Sequence, residues 1–317
     1  MKDLENIQMT VPLAIKKGVR QRIISHLRKA GMEIFYFVFN HDWLFWLIGW
    51  ANKWTGIIES VFLVYPATPK YARHYFYEHM IVRHAWRPGP SGLLWQNGKL
   101  IVMFAISASN GQFRDPANRD HLRQVVWRME KIRQLFRAQR KTFAGILPGI
   151  IFQNKISAEA PEADLTAVAV AQAIRLVKEE EKLDPGTPIV VLGGKGFIGR
   201  RVVNILGQQN VFSVDLQDSW PELTGRILVV NITTNQALKK HLPRLKNAVV
   251  VNEIYPEPDE DTLAGLRANH SLCYHVVGVK AKAWPKFPAA YRGGIPCCAA
   301  WPTKKIKIII KKMDINN

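Results

Sequence analysis

One stretch constrains this chain more than any other. An apolar, β-branched run at 188–192 (PIVVL) passes directly into Gly193-Gly194-Lys195-Gly196-Phe197-Ile198-Gly199, and then into RRVVNILGQQ. Strand, glycine turn and helix follow one another without a linker. The spacing G-x-G-x-x-G is met by Gly194, Gly196 and Gly199 in the context that gives the motif meaning. The first glycine allows the tight turn, the second lets backbone approach a pyrophosphate, and the third lets helix and strand pack closely. The helix start adds N–H donors and a favourable dipole for an anion. The whole loop, Gly193, Gly194, Lys195, Gly196, Phe197, Ile198 and Gly199, is therefore the expected cofactor cradle.

The next strand, VFSVD, ends in Asp215, about twenty residues past the first glycine. A carboxylate there accepts hydrogen bonds from the ribose hydroxyls of NAD(H) and repels the 2′-phosphate of NADP(H). Further strands are expected at 226–230, 248–251 and 271–277, with Asn231 and Tyr255 lying past strand ends where a parallel sheet receives ligand. The fold class is thus α/β: a Rossmann-like, doubly wound parallel sheet over 186–302, preceded by a smaller α+β domain.

At 317 residues, two or three domains fit. Residues 1–60 are basic and then aromatic, 61–185 read as an α+β substrate- or carrier-docking domain, and 303–317 form a lysine-rich tail. Within 61–185 a strand is expected at FLVYPA, then one helix over TPKYARHYFYEHMIV, with Thr68 as N-cap and Pro69 at its first position. Asn97-Gly98 is a hairpin signal between two apolar runs. The 3.6-residue period of Leu122, Val125, Val126, Met129, Ile132 and Leu135 predicts a helix over 118–143, and a second is expected over 165–182.

The net charge of +19 calls for an anionic partner, and it is concentrated. Residues 61–155 hold fifteen Lys/Arg against four Asp/Glu. Arg119, Arg123, Arg128, Lys131, Arg133, Arg137 and Arg140 lie on the expected basic helix, which suits an acidic protein. Nucleic acid is disfavoured, because no motif or aromatic interleaving accompanies those cations. In the aromatic stretch, Trp43, Trp46, Trp50 and Trp54 share one helical face, while Asn40-His41-Asp42 interrupt the apolar run. Two helices meeting at Asn40 and lying peripherally in a membrane interface through 34–54 are one expectation; a buried helical hairpin is the other. Three cysteines and the lack of a cleavable leader point to the cytoplasm, with contact at the inner face of a membrane.

Beyond the cofactor loop, no tyrosine is followed four residues later by lysine, and no C-x-x-C or clustered histidine spacing suggests a metal. The reactive pair is Cys297-Cys298, after Pro296. A thiolate attacks thioesters and aldehydes, and a helix starting at Pro296 would lower the thiol pKa. The competing reading is two small buried residues packing on a strand.

From about Phe62 to Ala300 the order of these features resembles the cyanobacterial long-chain acyl-[acyl-carrier-protein] reductases, which form fatty aldehydes. FLVYPATPKYARHYF, LLWQNGKLIVMFAIS, VVLGGKGFIGRRVV, VVVNEIYPEPDED and PCCAA carry the resemblance. It implies a reductase of fatty acyl thioesters, with acyl carrier protein or acyl-CoA as donor and NAD(H) or NADP(H) as cofactor. Cys297, followed two residues later by Ala299, aligns with the family nucleophile. Three departures stand out: Asp215 suits NAD where the family favours NADPH, Glu253-Ile254 replace glycines, and TKKIKIIIKKMDINN replaces a long helix. That tail reads as a truncation scar or frameshift product. Alternatives are a dehydrogenase without a covalent intermediate, or a non-catalytic nucleotide-binding protein.

Overall fold

The basic and aromatic stretches form two helices, α1 (Val19–Phe39) and α2 (Asp42–Thr55), broken at Asn40-His41. There follow β1 (Ile58–Val64), α3 (Pro69–Tyr75), α4 (Glu78–Arg83), β2 (Gly89–Gln96), β3 (Lys99–Ala105), α5 (Asn110–Arg114), α6 (Arg119–Leu135), β4 (Arg140–Phe143), α7 (Leu147–Gln153) and α8 (Pro161–Glu180). The second half holds β5 (Ile189–Leu192), α9 (Gly199–Leu206), β6 (Val211–Val214), β7 (Leu228–Asn231), α10 (Asn235–His241), β8 (Val249–Asn252), α11 (Glu260–Ala268), β9 (Leu272–Lys280), β10 (Lys282–Trp284), β11 (Gly294–Ile295) and β12 (Ile308–Lys312). This computed structural model describes residues 19–66, 68–158, 160–207, 209–215, 217–287, 291, 293–300 and 306–313.

Two sheets result, and the architecture is mixed α/β. The first has the order β10-β2-β3-β1-β4, with β1 parallel to both β3 and β4 and a hairpin joining β2 to β3. At its turn Asn97 and Gly98 both have positive φ (49° and 80°), as a two-residue hairpin of this sequence requires. The second sheet runs β11-β9-β8-β7-β5-β6, the four pairings among β6, β5, β7, β8 and β9 all parallel, with β12 also on β9.

Period-2 alternation sorts the second sheet's side chains between two helical layers. Val191, Val230 and Val251 pack with Val170, Ile174 and Val177 of α8 and Val202 of α9. Val190, Val229 and Val250 pack with Leu238 of α10 and Leu263 and Leu266 of α11. Each such side chain contributes about 1.5–3 kcal/mol by burial. Helix α8 is buried around much of its circumference and shares one core cluster with Phe62, Leu94 and Met103 of the first sheet. Its alanines, Ala163, Ala167, Ala169 and Ala173, let it sit close to its neighbours.

Several expectations need correction. The helix expected over 118–143 ends at Leu135; Arg137 turns the chain at φ 53°, and residues 140–143 join the first sheet beside β1. Pairing with a buried parallel strand overrides the helical pattern there. Of the seven cations assigned to that helix, Arg137 and Arg140 therefore lie beyond it. Arg123, Arg128, Lys131 and Arg133 are ion-paired within the chain. The single helix expected after Thr68 is two, although Thr68 does cap the first by accepting from the Tyr71 N–H. The tail is not foreign to the fold: Ile308–Lys312 adds antiparallel to β9, and Lys312 reaches Glu181 at 3.0 Å. Finally β10, within the stretch read as the dinucleotide domain, hydrogen-bonds to β2 of the first sheet.

Helix α2 is anchored by one face only. Phe45, Gly49 and Asn52 are buried, and a Cβ on Gly49 would lie 1.8 Å from the Leu135 carbonyl oxygen. Asn52 donates to the Ile58 and Phe136 carbonyls and accepts from the Ile58 N–H. The four tryptophans point the other way and are exposed, so α2 covers the core with one face and leaves the other bare. No helix among the described residues is long and apolar enough to cross a membrane.

Candidate functional site

The chain reverses its direction of sheet growth between β5 and β7, and the loops beyond those two strands touch. Gly193 adopts φ 84°, and a Cβ there would lie 2.9 Å from the Thr233 Cβ. The positive φ falls on Gly193, one residue before the glycine expected to make the turn. Gly194 backs onto β6, where an added Cβ would meet the Ser213 Oγ at 2.4 Å. Gly199 is the helix–strand contact, with its Cβ position 2.0 Å from the Gly193 carbonyl oxygen. Gly196 differs: it is exposed, and its Cβ position is limited only by that same carbonyl at 3.0 Å.

Asp215 stands where the motif requires, just beyond β6, and its carboxylate accepts from the Lys195 N–H at 3.0 Å. Asp218 accepts from the Asp215 N–H at 2.9 Å and from the Lys195 ammonium at 2.6 Å. Phe197 stacks near Phe152 of α7, with the Arg201 guanidinium over its ring. Ile198 precedes α9 and accepts from the N–H groups of Arg201 and Val202. The residues fit a dinucleotide. A bare exposed backbone at Gly196, the start of α9 and a half-buried carboxylate at Asp215 lie together.

Asn231 and Asn252 occupy matched positions at the ends of β7 and β8 and are fully buried. Asn231 donates to the Asn252 Oδ1 at 2.7 Å and to the Thr234 carbonyl; Asn252 donates to the Ile254 carbonyl and meets the His275 Nδ1 at 3.3 Å. Burial lowers the His275 pKa and keeps that ring neutral. Asn231 therefore holds loops together. It also stands beside the glycine loop, paired with Leu192, and its Oδ1 accepts from the N–H of Thr233, the residue against Gly193. Tyr255 stacks on Tyr291 at 5.2 Å and lies beside Tyr71 of α3.

The second reactive element is a three-residue 3₁₀ turn, Cys297–Ala299, following Pro296. Cys297 is buried within the core cluster shared by both sheets, while Cys298 remains partly exposed. The Gly145 backbone lies beside Cys298. Gly145 itself lies against Tyr65, whose hydroxyl accepts from the Ile146 N–H at 3.0 Å. Burial pushes the Cys298 thiol up to about 12, and the Glu162 and Glu253 carboxylates push the same way. Burial, then Glu253, raises the Cys297 thiol well above its ordinary value too. The expected lowering by a helix start does not occur, because the turn is too short to build a dipole and the charged groups acting on it are carboxylates. Arg292, the nearest cation in sequence, lies outside the described residues.

Sequence reasoning missed the two carboxyls. Glu162, at 2% exposure on the first turn of α8, has an Oε2 without a hydrogen-bond partner, and burial raises its pKa to about 8. Burial alone raises Glu253, just past β8, to about 8. In SAEAPEADL the former reads as a solvated helix start, and nothing in the sequence marks it otherwise. Models of known protein families find no match in this chain, and neither do the curated proteins searched. Among the described residues no cluster of metal-ligating side chains occurs.

Proposed function

We propose that the chain is a Rossmann-like, doubly wound, NAD(P)H-dependent oxidoreductase that reduces fatty acyl thioesters to fatty aldehydes, with Cys298 as the nucleophile. One observation carries the reading. A partly exposed thiol lies within electrostatic reach of two carboxyls of raised pKa, Glu162 and Glu253. One of those carboxyls, Glu253, stands just past β8, on the strand ends that also bear the glycine loop. Gly196, Lys195 and the start of α9 would hold the pyrophosphate, and Asp215 the ribose. A nicotinamide cofactor bound there supplies hydride. Asp215 favours NAD(H), while Lys195 beside it leaves NADP(H) open. The acyl donor is acyl carrier protein or acyl-CoA, and the reading keeps the enzyme cytoplasmic.

Acylation falls to the chain's own residues. Glu162 or Glu253, once ionised, takes the Cys298 proton; sulfur bonds to the thioester carbonyl carbon, and the carrier thiolate leaves with that proton. Moving a proton from a thiol near 12 to a carboxylate near 8 costs ~5 kcal/mol. Turnover at roughly 10 per second implies a barrier of about 16 kcal/mol, which accommodates that step. The test is incubation with a labelled long-chain acyl thioester and mass analysis of the peptide bearing both cysteines. Label lost in Cys298→Ser and kept in Cys297→Ser is the expected result; no label on either thiol sinks it.

The raised thiol pKa favours a second reading, a dehydrogenase or nucleotide-binding protein that uses no thiol. There both cysteine substitutions are silent, while Gly196→Val abolishes cofactor binding.

A further inference from the structure

We infer that α1 and α2 form a peripheral docking surface for an anionic lipid bilayer. This does not rest on the reductase reading. On α2 the inward side chains are Phe45, Gly49 and Asn52, and the outward ones are Trp43, Trp46, Leu47, Trp50 and Trp54. On α1 the inward face reaches the first sheet, with the Tyr36 ring against Gly89 and Phe35 6.0 Å from Trp284. Its outward face carries Leu27, Ile34, Phe37 and Val38 at helical spacing, Phe37 at 77% exposure. Exposed apolar side chains on this scale mark an interaction site.

The acids near this face are engaged within the chain. Asp42, which begins α2, is bridged to Arg128 at 2.7 Å and Lys131 at 2.8 Å, and Glu33 of α1 is engaged by His79 at 2.9 Å. Lys53 lies over the exposed Trp54 ring at 5.7 Å, and Lys131, which also pairs with Asp42, lies over Trp127 of α6 at 5.8 Å. Arg28 and Lys29 of α1 lie over the rings of Tyr75 and Tyr77. Among the described residues, Lys53 of α2 is the cation set against the exposed tryptophans of that helix.

Pairing of lysine with tryptophan decides between occupants. Protein interface cores exclude lysine. The boundary of a bilayer accepts both partners, the indole at headgroup depth and the ammonium beside phosphate. Neither helix is able to span, so both lie in the plane.

The experiment is co-sedimentation of the full chain with vesicles of phosphatidylcholine alone and of phosphatidylcholine with phosphatidylglycerol, at low and high salt. Binding to the anionic vesicles, weakened by salt, is expected. Trp43→Ser combined with Trp46→Ser should reduce partitioning at least about tenfold, a loss of about 1.4 kcal/mol. Circular dichroism of the variant checks that it is folded, and Lys53→Glu, on an exposed side chain, gives an independent loss on anionic vesicles only. Equal partitioning of wild type and both variants overturns the proposal. So does a lipid-free dimer that the tryptophan substitutions dissolve, which would assign the face to a second copy.

Discussion

Glu162 offers a stability measurement whose sign and size follow from its surroundings. Its carboxyl is raised from 4.5 to about 8 by burial, and one oxygen has no hydrogen-bond partner. Below pH 4.5 both folded and unfolded chains carry the proton, and the group contributes no pH dependence. Between 4.5 and about 8 the unfolded chain is ionised while the folded one holds its proton, so folding stability falls as pH rises. The slope is ~1.4 kcal/mol per pH unit, and about 3.5 units give a loss near 5 kcal/mol by pH 8. Above that the loss is constant. Glu162→Gln keeps the shape, removes the titration, and should flatten this part of the profile. Urea unfolding of wild type and variant at pH 5, 6, 7 and 8 reads the difference directly. The gap should widen with each step, with the variant ahead by several kcal/mol at pH 8. Parallel profiles would refute the assignment of Glu162 as a neutral buried acid.

Two further predictions concern the loop and the thiol. Gly199→Ala drives a methyl into the Gly193 carbonyl and should lower both melting temperature and cofactor affinity, whereas the exposed Gly196→Ala should weaken NADH or NADPH titration with little change in melting. A thiol near 12 should alkylate with iodoacetamide at pH 8 roughly three orders of magnitude more slowly than free cysteine, rising about tenfold per pH unit. Mass spectrometry of Cys298 at a free-cysteine rate would contradict the buried, acid-flanked environment.

The second sheet was legible because its information is local. A valine-rich run, a glycine turn and a helix follow one another within 188–206, and the positions of β5 through β9 emerge from the same apolar runs. The break at Asn40-His41 and the Asn97-Gly98 hairpin were equally local signals. What failed depends on partners distant in sequence. Residues 140–143 become a strand only because β1 stands open beside them, and Ile308–Lys312 only because β9 has a free edge. The candidate thiol site is harder still. Tyr65, Gly145, Glu162, Glu253 and Cys298 come from five separate segments, and a glutamate's burial depends on what surrounds it. The cysteine pair stands out in the sequence, but the direction of its pKa shift does not follow from it, because the burial and the carboxyls beside it come from distant segments.

The return of β10 to β2 has a consequence for how the chain is made. Strands β2, β3, β1 and β4 are complete once residue 143 has been synthesised, yet the outer edge of β2 has no partner until residues 282–284 emerge. At about 5–20 residues per second, that edge waits several seconds as an open template for strands of other chains. Helix α1, whose Tyr36 ring packs on Gly89 of β2, leaves the ribosome before that strand and is available to cover it. A ribosome stalled between 143 and 282 should therefore carry an aggregation-prone nascent chain, and removing α1 should make it more so.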